Sequence, residues 1–148
     1  MKPQTRKHRV FVAVYLYLEK NGKVLLIRRC NTGWQDGNYS MVSGHIEEGE
    51  TARQAMKREA REEANIIIKT KDMKIVHILQ RKAPDREYID FFITTKKYGG
   101  QIRNNEPEKC DEIRWVDGRK LPKNVVPYIP FAISKIRSGE FYGEYGFS

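Results

Sequence analysis

The sequence is poor in several features that would point to other kinds of protein. It has two cysteines, Cys30 and Cys110, among 148 residues. They stand at no metal-binding or redox spacing, so reduced thiols and a cytoplasmic location are the expectation. No hydrophobic run is long enough to span a bilayer, and no membrane partner is expected. The run VFVAVYLYL behind the basic start MKPQTRKHRV has the length of a signal-peptide core. It lacks a small-residue cleavage site and passes straight into an Asn21-Gly22 turn, so it reads as structural. Internal repeats, low-complexity segments and linkers are missing as well. Acidic residues are outnumbered by basic ones, 19 to 28, leaving a net charge of +9. Such a surface suits a polyanion, but bases such as Lys69, Lys71, Lys74, Lys96 and Lys97 are scattered. A free nucleotide is therefore the better partner than a nucleic acid.

What is present indicates one folded domain over residues 1–148. The chain is 39% hydrophobic and 11% aromatic, which separates it from disordered sequences, and its length suffices for one core. Apolar, β-prone residues 10–18, the turn signal Asn21-Gly22 and residues 23–29 predict a hairpin. Further strands are expected at 39–42, 66–69, 74–81, 87–96 and 113–116. Helices are expected at 51–64 and 125–138; Pro127 and Pro130 suit only a first turn, which argues for a later start to the second helix. Strands and helices in this order predict an α/β protein with a sheet between helices.

The most informative segment is GHIEEGETARQAMKREAREEANI, residues 44–66. Thr51 can cap the helix, and Gln54 stands where a capping-box partner belongs. Ala52, Ala55, Met56, Ala60 and Ala64 form an apolar stripe. At ~100° per residue, Glu59 and Glu63 fall inside that stripe and Glu62 at its edge. A purely structural helix would put Leu or Ile there, and a solvated charged face would lie opposite the alanines. Glu59, Glu62 and Glu63 also repel one another at this spacing, which calls for a cation. Mg²⁺ fits best, because it prefers carboxylate oxygens and shares them with substrate phosphates; Mn²⁺ is the alternative.

This run resembles the Nudix box, the signature of hydrolases that act on a nucleoside diphosphate linked to another moiety. Gly44, Glu50, Arg58-Glu59, Ala60, Glu62-Glu63 and Ile66 fall at the family's positions. Asn65 replaces the usual final glycine, and Asn is the next most tolerant residue in a left-handed helix end; Asn65→Gly is therefore expected to be neutral or stabilising. The resemblance implies an α/β/α sandwich with a mixed sheet. It also implies a catalytic, cation-binding role for Glu59, Glu62 and Glu63, aided by the Gly44 carbonyl. Glu50 and Arg58 read as a structural pair tying the box loop to the helix.

Other assignments are less determined. Arg28 or Arg29 could reach phosphates, and strand alternation allows only one of them to face the site. Trp34, Tyr39 and Phe92 could stack on a base, though aromatics near strands usually belong to a core. His45 adjoins the box glycine, and His77 alternates with apolar neighbours toward the sheet surface. The general base is a box glutamate or a later loop acid: Glu106, Glu108 or Asp111. Glu47 and Glu48 read as solvated loop acids. The function expected is Mg²⁺-dependent hydrolysis of a nucleoside triphosphate or another nucleoside diphosphate derivative, with nucleotide-pool sanitation as one setting. ADP-ribose, a dinucleotide polyphosphate and an RNA 5′ end stay open as substrates. So do a catalytically silent nucleotide-sensing module and a homodimer.

Overall fold

The computed structural model describes residues 6–148, so the reading of residues 1–5 lies outside it. The chain builds two sheets. The first runs in the order β5 (Ser43–His45), β1 (Phe11–Leu16), β7 (Glu87–Thr95), β6 (Met73–Lys82), β9 (Tyr142–Tyr145). It is mixed: β1 pairs parallel with β7 and antiparallel with β5. In the second, β3 (Lys23–Arg29) pairs with β2 (Glu19–Lys20), β4 (Tyr39–Ser40) and β8 (Cys110–Asp117).

Two cores follow from strand alternation. Val14, Leu16, Leu25 and Ile27 face α1 (Ala52–Ala64), while Ala13, Tyr15, Val24 and Leu26 face α2 (Tyr128–Arg137). The result is the α/β/α sandwich the order of elements implied. In α1 the residues Ala55, Met56, Ala60 and Ala64 are fully buried. The three alanines among them allow the helix axis to approach the strands closely.

Four expectations are corrected. Residues 10–18 do not form one arm of a hairpin. Strand β1 stays in the first sheet, and the chain crosses to the second near Leu18, whose carbonyl accepts from Leu25 N. The turn itself is as expected, with φ of 53° at Asn21 and 77° at Gly22, the two positive values a type I′ turn requires. Residues 66–69 make only an isolated bridge, Ile67 to Gly99, because the chain there folds back over the end of α1. Helix α2 begins at Tyr128, which leaves Pro127 as its cap and Pro130 in the first turn, where a missing N–H costs nothing. Strand β9 and the start of β8 at Cys110 were not foreseen.

The end of α1 shows what Asn65 does. It adopts φ 57°, ψ 31°, and its side chain donates to the Gln101 carbonyl at 2.9 Å. Asn65→Gly relieves the left-handed strain but loses a hydrogen bond of about 1 kcal/mol, so the two effects nearly cancel. Asn65→Ala loses the bond and keeps the strain, about 2 kcal/mol in all, or roughly 4–8 °C in Tm. Thermal melts of the pair should therefore separate clearly. Equal melting points would show that the left-handed conformation costs alanine nothing here, and Asn65→Gly melting well above wild type would show that the contact with Gln101 contributes nothing.

Candidate active site

The glutamates are presented by a helix whose start is fixed by its own sequence. Thr51 Oγ1 accepts from Gln54 N at 3.1 Å, and Gln54 Oε1 accepts from Thr51 N at 2.9 Å. The reciprocal cap sets the rotation of α1. Glu59 turns inward, 14% exposed, whereas Glu62 is 54% exposed on the outer edge. Glu63 is deeper still, and its Oε2 accepts from Ser43 N on β5 at 3.1 Å. Since β5 ends its sheet among the described residues, this amide faces no described strand on that side and is free to bind a carboxylate. Gly44, one residue on, lies directly under Glu59. A Cβ there would fall 2.2 Å from Glu59 Cδ.

Arg58 joins the loop to the helix. Its Nε donates to Glu50 Oε2 at 2.8 Å and its Nη2 to Glu50 Oε1 at 2.9 Å. The same side chain reaches the His45 carbonyl at 3.2 Å and Glu59 Oε1 at 2.7 Å. So Arg58 orients a glutamate as well as bracing the loop. Hydrogen bonds from Arg58 pull Glu50 down to about 2. Glu63 moves the other way: burial first, then the charge of Glu59, push it well above the usual carboxylate range. Burial raises Glu59 too, against the pull of Arg58.

These directions fix a pH dependence. The stability contributed by Glu63 is present below its unfolded value of 4.5 and is lost as pH rises through its raised folded value. Glu50 contributes above 4.5, and that contribution is lost as pH falls toward about 2. In chelator, the Tm should decline as pH rises from about 5 toward neutrality. Glu63→Gln should flatten that limb and leave the acid limb intact. A wild-type Tm that climbs steadily to neutrality would contradict the raised value.

Both glutamates open on a cleft of about 830 Å³, large enough for a whole nucleotide. Its lining includes Gly44, His45, Arg58, Glu59, Glu62 and Glu63, together with Arg29, Trp34 and Glu106. Alternation along β3 separates the two arginines. Arg29 enters the cleft beside Trp34, its guanidinium 4.9 Å from that ring. Arg28 points away and is engaged by Asp111 at 2.6 Å and Glu112 at 3.4 Å.

Several expected site residues stand elsewhere. Tyr39 is buried in the core, with its hydroxyl on Glu112 at 2.8 Å. Phe92 is fully buried against Tyr15, and His77 is buried with Nδ1 on the Glu140 carbonyl at 2.8 Å, not on the sheet surface. Glu108 is an exposed loop acid outside the cleft, and Asp111 is taken up by Arg28. Glu47, read as a solvated acid, stands at the cleft rim 3.8 Å from Arg58.

The sequence reading missed the opposite wall, formed by Tyr15, Arg81, Tyr88 and Tyr128. One signal was available. Asp90 sits within the apolar strand run YIDFFI and is completely buried, so a partner was required.

Among the described residues, no three His, Cys, Asp or Glu side chains are drawn together tightly enough to enclose a cation. Mg²⁺ needs less, since one or two carboxylates complete its shell with water and substrate phosphates. Two converging acids, one partly desolvated and one deeply so, fit that requirement.

Known proteins resemble this chain in sequence and in fold. The NUDIX domain profile matches residues 7–131. The ADP-ribose pyrophosphatase of Methanocaldococcus jannaschii is 31% identical over 126 residues, 82% of this chain and 73% of that protein. The dihydroneopterin triphosphate diphosphatase of Escherichia coli K12 is 33% identical over 113 residues, 74% of this chain and 69% of that one. In structure, the MutT NUDIX hydrolase of Burkholderia pseudomallei superposes with a TM-score of 0.78 at 19% identity, covering 86% of this chain and 98% of its own.

Proposed function

The chain belongs to the Nudix hydrolase family and is a pyrophosphohydrolase; from that premise we propose that it cleaves nucleoside triphosphates between the α- and β-phosphates, using Mg²⁺. The observation that carries this reading is the convergence of Glu59 and Glu63 on the cleft beside Gly44. They would hold the cation, with Glu62 completing the set from the outer edge and the Gly44 carbonyl assisting. When bound, the cation neutralises phosphate charge and acidifies water.

The chain's own residues do the rest. Arg58 holds the Glu59 carboxylate at 2.7 Å, and the Ser43 amide holds Glu63, so both acids are set before substrate arrives. Arg29, which lines the same cleft beside Trp34, presents its charge to the phosphate chain. Of the later-loop candidates Glu106, Glu108 and Asp111, Glu106 is the one that lines the cleft, and its charge acts on both Glu59 and Glu63. It is assigned to take the proton of the attacking water.

A second reading, ADP-ribose as substrate, is favoured by the name of the archaeal relative. A panel of nucleoside triphosphates and ADP-ribose with Mg²⁺, run in ¹⁸O-water, tests both. A nucleoside monophosphate and pyrophosphate, with label on a phosphoryl product, is the expected result for a triphosphate. Release of inorganic phosphate alone would contradict it.

No helix among the described residues is long and apolar enough to cross a membrane.

A further inference from the structure

The cleft wall away from the glutamates is built around a locked arginine. Arg81 Nε donates to Asp90 Oδ2 at 2.7 Å, and Nη2 donates to Oδ1 at 3.2 Å. The two side chains are 6% and 0% exposed. The guanidinium carbon lies 3.9 Å from the Tyr88 ring centroid and 3.8 Å from that of Tyr128. The Tyr128 hydroxyl meets that of Tyr15 at 2.6 Å, and Tyr15 stacks on Phe92 with centroids 4.9 Å apart. Nη1 is left over. It has no hydrogen-bond partner among the described residues, and it is not among the fully buried polar atoms left without one, so it keeps some access to solvent. Arg81 lines the cleft, so Nη1 is the part of it that meets the cleft space.

The chemistry of this wall differs from that of the phosphate end. Asp90 matches the charge of Arg81, so the pair offers little net attraction to a phosphate. It offers an N–H donor edge among flat rings. Tyr88 continues into an open aromatic patch, with Phe11 at 5.6 Å and His45 at 6.1 Å between centroids. His45 follows Gly44, so the patch begins at the glutamates and ends at Arg81. In register, His45 pairs with Ala13, Ala13 with Asp90, and Asp90 with Leu79, two residues from Arg81. Three strand spacings amount to about 14 Å, enough to place a ring at one end and its phosphates at the other.

We propose that this wall is the base subsite, and that Arg81 selects a planar heterocycle whose edge carries a ring carbonyl beside a ring nitrogen. A guanidinium only donates. Guanine presents two acceptors on that edge, whereas adenine presents an amino donor that would face another donor. The proposal rests on the pyrophosphohydrolase reading above and deepens it.

The experiment compares GTP with ATP as substrates in Mg²⁺. It also compares GMP with AMP in equilibrium binding without metal, which reads the subsite independently of hydrolysis. The wild type should favour guanine by ~10–10²-fold in kcat/KM and in Kd. In the paired variant Arg81→Gln/Asp90→Asn, which leaves no unpaired buried charge, both ratios should fall to within ~3-fold of unity while Mg²⁺-dependent turnover persists. Arg81→Lys is the second variant, keeping the charge but not the planar edge, and should also lose the ratio. A lowered Tm with the ratio unchanged would make the pair structural and overturn the proposal. A wild type that favours adenine, or binds GMP and AMP equally, would overturn it too. A guanine preference in binding without hydrolysis of any nucleotide would uphold the subsite and overturn the pyrophosphohydrolase reading instead.

Discussion

Glu63→Gln should lower the rate constant by at least ~10²-fold, the scale of losing a positioned acid–base group. This is ~2.7 kcal/mol of barrier at 1.36 kcal/mol per decade. The substitution keeps side-chain volume, and the amide oxygen can still accept from Ser43 N. What it removes is a charge that burial and Glu59 already disfavour. The metal-free protein should therefore melt higher, while stabilisation by Mg²⁺ should shrink with the lost affinity. Glu59→Gln should lose activity on the same scale, but its metal-free Tm should stay near wild type. There the relief of burial is offset by weakening the 2.7 Å contact with Arg58. Glu48, exposed and outside the cleft, gives the control as Glu48→Gln; Glu47 at the rim does not. If Glu59→Gln and Glu63→Gln both keep full activity and the full response to Mg²⁺, α1 is a solvated charged helix and no more.

Gly44→Ala should cost about as much activity with little loss of fold. The new methyl carbon would fall 2.2 Å from both Cδ and Oε1 of Glu59 and 2.6 Å from Cγ. The backbone need not yield, because the end of a glutamate can rotate away at a cost of about 1 kcal/mol. The carboxylate must leave its place, and a misplacement of about 1 Å can cost ~10²-fold in rate. Tm should change by no more than a few degrees, roughly 2–4 °C per kcal/mol for a chain of this size. A double-mutant cycle identifies the cause. If Gly44→Ala acts through Glu59, adding it to Glu59→Gln should lower the rate no further. Full additivity would assign the loss to the loop backbone instead.

How far the sequence was readable follows from the range of the interactions involved. The capping box of Thr51 and Gln54 is complete within four residues; Thr51 caps α1 as expected, and the helix itself begins at Ala52, one residue after the expected 51. The inward turn of Glu59 and Glu63 follows from the spacing of the alanines alone. Placement across the sheets was harder. Arg28 and Arg29 differ only by alternation, and which of them faces the cleft depends on how β3 pairs with β8. Tyr39 and Trp34 read alike as aromatics near a strand, yet one packs in the core and the other stays 45% exposed. Strand β9 is four residues long, contains Gly143, and exists because the edge of β6 accepts it in parallel. The wall around Arg81 depends on hairpin register, which places Tyr88 opposite Arg81 and Asp90 opposite Leu79.

The closure of α1 at its C-terminal end bears on how the molecule comes apart. Its last carbonyls are met from outside the helix: Glu63 O accepts from Asn105 N at 3.0 Å and Ala64 O from Arg103 N at 3.1 Å. Arg61 O accepts from the Asn105 side chain at 3.0 Å. Helix ends normally fray first and exchange their amide hydrogens fastest. Here the final turn and residues 101–106 are tied into one cooperative unit. Their amides should exchange with deuterium at similar rates, and Glu106 should be released only when the turn bearing Glu62 and Glu63 is released with it. Local opening then cannot separate the acids contributed by the loop from those of the helix; they are lost and regained together.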